Sequence, residues 1–488
     1  MKCPGGRSVW VFLTLVLAMR AETGGAIPLG IEEAIQRALA CNRQIRVDRC
    51  SLDVARAGLS ESLGAFDPAL TFGREHGRKR APLVQGALFT TQSMETDSQS
   101  LMIEGHAPWG LDYSVGTRAG GERVSGGAGD FAAFSGVTLT QPLLRSAGFS
   151  GNLHEVRLAR ADIKISEWAF RQTLIDTITR VAVAYHELVL AHEYARVARR
   201  SRDLATDLLR ENEIRVGAGG MAENQLLQAR ARVAARTERV INGERALHDA
   251  DLRLRHLLGE ESFSPNGPLL LVEEDDGAEL RIDPAADLQR AWLSRPDYQQ
   301  ARLDLGKRET THAYARSLLM PRLDAVGSYG YHGLGDTLAD GGRMTRDRDF
   351  PGYSAGVVMT IPLTFARERG RLRAARYEQR QAEEELARLK QEIALNVSLA
   401  AGRLDSARQR IVATREAYAL AGKALEDEVR KLRAGTSTTF VVLSLQESLS
   451  EVEVGMHRAR AEARTAAALY DREVGYTLER HGLRLSTP

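Results

Sequence analysis

Long hydrophobic runs are missing from this sequence, and its charges nearly cancel. The longest apolar run, residues 9–19, has eleven residues, whereas a membrane-spanning helix needs about twenty. A helical membrane transporter is therefore excluded. A membrane β-barrel is not, because its strands alternate between two faces and leave a weak hydropathy signal. Lys and Arg number 66 against 64 Asp and Glu, a formal net charge of +2, so composition gives no electrostatic case for a nucleic-acid partner.

Cysteine is also scarce, with three residues among 488. Cys41 and Cys50 lie nine positions apart, which on one helix is about 900° and puts them on opposite faces. A disulfide between them would require the helix to break. The sequence therefore predicts two free thiols.

Motifs of catalysis and metal binding are absent as well. The chain has no GxSxG, no P-loop, no HExxH and no CxxC pair. His186 and His192 are six positions apart, about 600° on a helix, which makes a poor pair of metal ligands. We therefore expect no enzymatic activity, no catalytic residue, no metal and no cofactor.

The N-terminus carries an export signal. Residues 1–26 combine two positive charges, Lys2 and Arg7, with an apolar core over residues 9–18 and small residues near position 26. This is the pattern of a secretory signal peptide. The mature chain is therefore predicted to be exported.

The chain contains an internal duplication. Residues 33–77 align without a gap on residues 286–330, an offset of 253, and residues 135–144 align on residues 355–364, an offset of 220. The fall in the offset means that the middle of the first copy is 33 residues longer. Identities in these alignments include Pro68 with Pro321, Gly77 with Gly330, Gly136 with Gly356, and Pro142 with Pro362.

Proline usage separates two kinds of structure within each copy. Residues 143–264 and 363–487 contain no proline, and an interior proline costs a helix about 3 kcal/mol, so both runs are predicted to be helical. The duplication sets the expected boundaries of the domains. These are the signal peptide 1–26, the first repeat 27–265, a linker 266–281, the second repeat 282–478 and a C-terminal tail 479–488.

Each helical run is predicted to fold back once. Glycines that follow basic residues break the runs at 215–220 and 433–437, a pattern typical of helix C-termini, and the hydroxyl residues 436–438 can cap the returning helix. The first outgoing arm of 64 residues would be about 96 Å long. A stripe of small or apolar residues with the spacing of a coiled coil lies on the second outgoing arm: Leu386, Leu389, Ile393, Val397, Ala400, Leu404, Ala407 and Ile411.

Segments that precede each hairpin favour β-strands. They are rich in β-forming residues with rough alternation. Because open sheet edges cannot lie in lipid, strands of this kind would close a barrel across several chains. The candidate strands are residues 66–73, 101–106, 111–118 and 131–143 in the first repeat, and 322–331 and 353–363 in the second.

Five short segments carry a resemblance to a known family. They are Phe66-Asp-Pro68, Leu139-Thr-Gln-Pro-Leu-Leu-Arg145, Arg215-Val-Gly217, Ile361-Pro-Leu363 and Leu432-Arg-Ala-Gly435. In this order, and with the duplication, the chain resembles the TolC-like outer-membrane efflux proteins. The resemblance implies a mainly α-helical chain with a membrane β-barrel portion. Four strands from each protomer of a homotrimer would close a twelve-stranded barrel, which would continue into a long α-helical coiled-coil barrel.

The resemblance also implies a location, partners and docking sites. The barrel would lie in the lipid of the outer membrane of a Gram-negative-type envelope, and the helices would extend into the periplasm. A periplasmic adaptor (membrane fusion) protein would couple the passive duct to an inner-membrane pump of the RND, ABC or MFS class. The residues implied to dock the adaptor are Arg215, Val216, Gly217, Arg433, Ala434 and Gly435.

The sequence departs from the family at the expected entrance of the tunnel. Well-known members carry acidic residues just past the second tip glycine, but here the positions six and nine past Gly435 are Val441 and Ser444. The position six past Gly217 is Glu223, which does match. An acidic constriction from Glu223 and an apolar ring from Val441 both remain open, and Glu223 also suits a solvated first helical turn.

Two functions compete. The leading hypothesis is a passive exit duct of a tripartite efflux or type I secretion system, two alternatives that differ in the partner. The rival is a periplasmic coiled-coil scaffold without a channel, in which the apparent strands are loops. Repeated strand segments bordered by proline, together with the signal peptide, favour the duct.

Overall fold

A computed structural model describes residues 28–85, 88–124, 127–218, 223–260, 270–271 and 282–483. The predicted signal peptide, most of the predicted linker and the end of the predicted tail lie outside the described residues. The chain divides into two compact units. The first comprises Met1–Arg46, Thr173–Ser294 and Ile393–Leu485, and the second comprises Val47–Gln172, Arg295–Glu392 and Ser486–Pro488.

Four long helices dominate the described residues. Helices α4 and α9 have 64 and 68 residues, and α5 and α10 have 36 each. None of the helices in the described part of the chain has the length and apolar character that crossing a membrane requires. The helices are α1 Ile31–Cys41, α2 Arg43–Gly64, α3 Gly148–Asn152, α4 His154–Gly217, α5 Glu223–Leu258, α6 Pro284–Ser294, α7 Pro296–Ser317, α8 Leu338–Asp347, α9 Ala366–Arg433, α10 Thr439–Val474 and α11 Thr477–Arg480.

The two cysteines belong to different helices. Helix α1 ends at Cys41, Asn42 separates it from α2, and Cys50 lies within α2. Both thiols are free and exposed. The helix therefore does break between them, contrary to the single helix assumed above, but no disulfide joins the two residues.

The first unit is a helical bundle with a continuous apolar core. The middle of the predicted stripe on α9 is buried, with Ile393 0%, Val397 1% and Leu404 1% exposed. Val181 of α4 and Leu254 of α5 are also fully buried. Side chains of this kind contribute about 1.5–3 kcal/mol each on burial, so this core holds the long helices side by side.

The second unit is built on an antiparallel sheet of six strands, in the order β2-β3-β4-β5-β7-β8. The sheet has two strands more than the four per protomer that the resemblance implied, because the longer middle of the first repeat supplies a further hairpin. The strands are β1 Pro28–Leu29, β2 Ala69–Gln85, β3 Leu88–His106, β4 Asp112–Val124, β5 Gly129–Pro142, β6 Leu270–Leu271, β7 Arg322–Gly335 and β8 Pro351–Thr360, of which β1 and β6 pair in parallel in the first unit.

Near the starts of β2 and β7, the six-stranded sheet has one mainly apolar and one mainly polar face. Because side chains alternate along a strand, residues paired across the strands share a face. One row of paired residues crosses all six strands and defines what we call the apolar face: Leu70, Ile103, Val115, Val137, Tyr329 and Tyr353. Residues of the opposite, polar face include Thr71, Ser100, Glu104, Ser114, Arg118, Thr138, Ser328 and Ser354.

Helix α8, which lies between β7 and β8 in the sequence, packs on the sheet. The backbone of Gly341 in α8 lies so close to Gly333 of β7 that a Cβ on Gly333 would sit 2.2 Å from the Gly341 carbonyl oxygen. Phe131 and Ala133 of β5 are 3% and 4% exposed. The far ends of β5 and β7 are therefore covered on the apolar face, whereas the rest of that face is open.

Candidate functional site

The turn between α9 and α10 has a defined backbone geometry. Gly435 has a φ of 76°, in the left-handed region that favours glycine. Its N–H donates to the carbonyl oxygen of Leu432 at 3.1 Å, and the N–H of Thr436 donates to that of Lys431 at 3.0 Å. This pair of bonds is a Schellman motif, which satisfies the last carbonyls of α9 and ends the helix.

Side chains reinforce the same turn. The Ser437 hydroxyl donates to Glu428 Oε1 at 2.5 Å, and Lys431 Nζ lies 3.1 Å from Glu428 Oε2. The hydrogen bond from Ser437 and then the contact with Lys431 lower the pKa of Glu428. Thr438 occupies the N-cap position of α10 but makes no capping hydrogen bond with its side chain. The predicted capping by hydroxyl residues is therefore wrong, since the hydroxyls of Thr436 and Ser437 bond back to α9.

The first hairpin ends at a similar place. Helix α4 ends at Gly217, and the N–H of Ala218 donates to the carbonyl oxygen of Ile214 at 3.0 Å. Residues 219 and 220 of the predicted tip lie outside the described residues. Arg215 and Gly217 are exposed and Val216 is half-buried. In the second tip, Arg433, Ala434 and Gly435 are all exposed.

The residues predicted at the entrance begin the two returning helices. Glu223 is the first residue of α5 and is exposed. On α10, Val441 and Ser444 are exposed, while the two residues between them, Val442 and Leu443, are 3% and 6% exposed. Because residues three apart lie on one face of a helix, Val441 and Ser444 point to the same side, away from the core.

Exposed apolar side chains surround the tips, and the sequence reasoning missed them. Ile214 is 68% exposed, and Leu227 and Phe440 are each 60% exposed. The Arg232 guanidinium lies 4.8 Å from the centre of the Phe440 ring, a cation–π contact between α5 and α10. The apolar run Phe440-Val-Val-Leu443, directly after the tip, was the available signal.

Polar contacts tie the returning helices to their neighbours near the tips. Arg239 of α5 and Glu447 of α10 form an ion pair of 2.6 Å, and Arg230 of α5 lies 3.2 Å from Glu213 of α4. The Arg236 side chain is 4% exposed, and its Nη1 donates to the Ser201 carbonyl oxygen at 2.9 Å. Burial lowers the pKa of Arg236. These contacts fix the positions of α4, α5 and α10 relative to each other.

A second cluster joins α4 to α10 deeper in the bundle. Glu193 lies 2.5 Å from Arg196 and 3.5 Å from His457. Burial opposes the charge of Glu193, but the contacts with Arg196 and His457 prevail and lower its pKa. Burial lowers the pKa of His457. Among the described residues, no group of three or more His, Cys, Asp and Glu side chains could hold a metal ion.

The architecture described here, a six-stranded sheet followed by long helical hairpins, agrees with comparisons to known proteins. The model of the family described as outer membrane efflux protein matches residues 34–260 and 288–470. The chain belongs to this family, as the resemblance predicted. Membership defines an outer-membrane protein that extends into the periplasm, in a family of transport channels rather than enzymes.

Individual relatives are more distant. The pyoverdine export outer membrane protein OpmQ of Pseudomonas aeruginosa is 25% identical over 324 residues, which are 64% of this chain and 65% of that protein's length. The CmeC outer membrane channel of Campylobacter jejuni has a TM-score of 0.68 at 14% identity, covering 98% of this chain and 94% of CmeC. For the outer membrane protein VceC of Vibrio cholerae the TM-score is 0.65 at 16% identity, with coverage of 91% and 96%. These structures show a shared fold.

Proposed function

We propose that three copies of this chain form a passive exit duct, which carries substrates to the exterior from a pump complex that spans the periplasm. One observation carries the proposal. A sheet with an exposed apolar face, and with two edges that pair with no other strand among the described residues, occurs in the same chain as helical hairpins whose first arms have 64 and 68 residues. Edge strands in lipid must pair, and closure across copies pairs them.

The exposure of the apolar face supports its contact with lipid. Leu70 is 70% exposed, Val357 is 65% exposed and Tyr353 is 85% exposed. Large side chains of this kind on one contiguous face of a water-exposed sheet would promote aggregation. In an outer-membrane barrel they face the acyl chains, and the polar face lines the lumen.

The rival function, a scaffold without a channel, requires the strand segments to be loops. They instead pair in continuous antiparallel registers, such as 69–85 with 88–104 in β2 and β3. The paired backbone and the sorted faces favour a channel wall. We therefore retain the duct as the function that the geometry supports best.

The two tips are the proposed docking sites for a periplasmic adaptor. Arg215, Val216 and Gly217 in the first tip, and Arg433, Ala434 and Gly435 in the second, would provide polar and backbone contacts. The exposed ring of Phe440 would supply an apolar anchor. The adaptor would link the duct to an inner-membrane pump of the RND, ABC or MFS class. Because the relative OpmQ is named for pyoverdine export, we propose small-molecule export rather than protein secretion.

The first experiment is reconstitution. Mature protein should require detergent for extraction, migrate as a trimer, and produce discrete conductance steps in a planar lipid bilayer. Extraction by salt alone, or a monomer without conductance, would contradict the duct and revive the scaffold.

The proposed entrance can be tested by ion selectivity. We propose that Glu223, Val441 and Ser444 line it, so that Val441→Asp would add three carboxylates to a trimer and shift the reversal potential towards cation selectivity. Glu223→Gln would shift it the opposite way. The control is Ser398→Asp, which adds the same charge at an exposed position of α9 roughly 50 Å from the turn by helix rise. Equal shifts in the Val441 and Ser398 variants would exclude this entrance.

A further inference from the structure

We propose that this chain closes a wider barrel than the twelve strands its family resemblance implies, with six strands from each of three copies making eighteen. The inference rests on the proposed homotrimer. It follows from the position, stagger and outward chemistry of the additional hairpin, β3 and β4.

The additional hairpin lies inside the sheet. The predicted duplication aligns β2 with β7 and β5 with β8, so β3 and β4 account for the extra residues of the first repeat. Strand β2 pairs only with β3, and β3 pairs with β4 over residues 94–106 and 112–124. Since β2 follows directly on α2 and β5 leads to α4, a hairpin inserted between them lengthens the sheet by two strands.

The strand ends near the helices are staggered in one direction. Three neighbouring pairs are offset at this end: β3 extends two residues past the start of β2, β5 extends two residues past the start of β4, and β7 extends two residues past the end of β5. The other two pairs, β3 with β4 and β7 with β8, end at the same level. This is a stagger of six residues over five strand pairs, or about 1.2 residues per strand. With a rise of about 3.3 Å and a spacing of about 4.8 Å, it tilts the strands by roughly 40°.

That tilt is the one a closed barrel requires, which is about 35–45°. At this tilt the ends of all six strands lie level around a rim. A hairpin outside the barrel would not need the stagger that β2, β3 and β4 share with β5, β7 and β8. The additional strands are therefore built as barrel wall.

The side chains that β2 and β3 carry on the apolar face near the rim are also those expected of a barrel wall. Leu70 and Phe72 of β2 are 70% and 63% exposed, and Leu101 and Ile103 of β3 are each 46% exposed. All four lie on the apolar face, and Leu70 and Ile103 belong to the row that continues through Val115 and Val137. Isolated from lipid, these four side chains would form an exposed apolar patch on a hairpin.

Measured from the rim, the apolar band is shorter on β2 and β3 than on β8. Beyond Phe72, farther from the rim, the same face carries Arg74 and the hydrogen-bonded side chains of His76 and Asp97, whose Nδ1 and Oδ1 atoms are 2.7 Å apart. On β8 the apolar face extends from Met359 to Tyr353. The apolar band of β2 and β3 is therefore shorter, a mismatch that local thinning of the bilayer would accommodate, with the charged side chains at headgroup depth.

Closure would join β2 of one copy to β8 of the next. An even number of antiparallel strands leaves edges that run in opposite directions, so the joint is antiparallel too. Two registers keep the rims level and the apolar faces together, one that pairs Met359 with Leu70 and one that pairs it with Phe72. The barrel diameter, about 24 Å for twelve strands at this tilt, becomes about 36 Å for eighteen.

The test is a cryo-electron microscopy reconstruction of the full chain in lipid nanodiscs, viewed along the three-fold axis. Eighteen strands are expected. A trimer with twelve strands would overturn the wider barrel and leave the duct intact, whereas a particle without three-fold symmetry would refute the proposed duct itself.

Cysteine pairs test the same joint in whole membranes. The chain carrying Met359→Cys together with Leu70→Cys or Phe72→Cys, in a background with Cys41 and Cys50 changed to Ser, should give disulfide-linked trimers on oxidation. Met359→Cys with Tyr113→Cys is the matched alternative, because β4 would meet β8 if β2 and β3 left the barrel. Cross-linking of that pair instead would overturn the proposal.

Discussion

Substituting the glycine of the second tip isolates a pure backbone effect. Gly435 adopts a φ of 76°, and a Cβ added there would meet nothing within 4 Å. The cost of Gly435→Ala is therefore the left-handed conformation itself, about 1–2 kcal/mol for a residue with a Cβ. Lost packing adds nothing to this value, because the site has open space.

The assay is amide hydrogen exchange of the tip in the detergent-solubilised protein. A destabilisation of about 1–2 kcal/mol should accelerate exchange of the amides that close the turn, including those of Gly435 and Thr436, by roughly 5- to 30-fold. Gly435→Asn should lie between the wild type and Gly435→Ala, because asparagine tolerates this conformation better than other residues with a Cβ.

Gly422 is the matched control. It lies inside α9, and a Cβ there also meets nothing within 4 Å. Gly422→Ala should therefore slow local exchange, since alanine favours a helix interior by about 0.5–1 kcal/mol over glycine. If Gly435→Ala also slowed exchange, or left it unchanged, the Schellman turn at the tip would be wrong.

Three further predictions concern the first unit and are measured by denaturant unfolding. Leu254→Ala removes a fully buried side chain and should cost about 2–5 kcal/mol, more than any substitution of an exposed leucine. Burial lowers the pKa of His186 to about 4, so the contribution of the neutral side chain to the free energy of unfolding is complete above pH 6.5. About 3 kcal/mol of this free energy should be lost as the pH falls from 6.5 to 4. His186→Gln should abolish this loss, and a pH profile that the substitution leaves unchanged would contradict the assignment. Burial raises the pKa of Asp471 to about 7 despite its ion pair with Arg480. The free energy of unfolding should therefore fall by roughly 4 kcal/mol as the pH rises from 4 to 7. A fall that persists in Asp471→Asn would show that ionisation of Asp471 does not cause it.

Much of the helical architecture could be predicted from local signals. The absence of proline and a three-four stripe predict the two long helices, and glycines after basic residues predict their C-terminal ends at the breaks 215–220 and 433–437, where α4 and α9 end. The stripe also identified Ile393, Val397 and Leu404 as core. Capping at the second tip was mispredicted, because hydroxyls can bond either to the helix they follow or to the helix they precede, and only the folded turn selects between them.

Alternating strand segments, long proline-free helices and their order are local properties of the chain, and they predicted the family that the comparisons show. Tertiary structure alone decided the number of strands and which residues share a face. Pairing depends on registers between segments far apart in the chain, such as Val137 with Tyr329, and a shift of one residue would exchange the apolar and polar faces. The sequence offered four candidate strands in the first repeat, and all four are strands because each one pairs with a neighbour in the folded sheet.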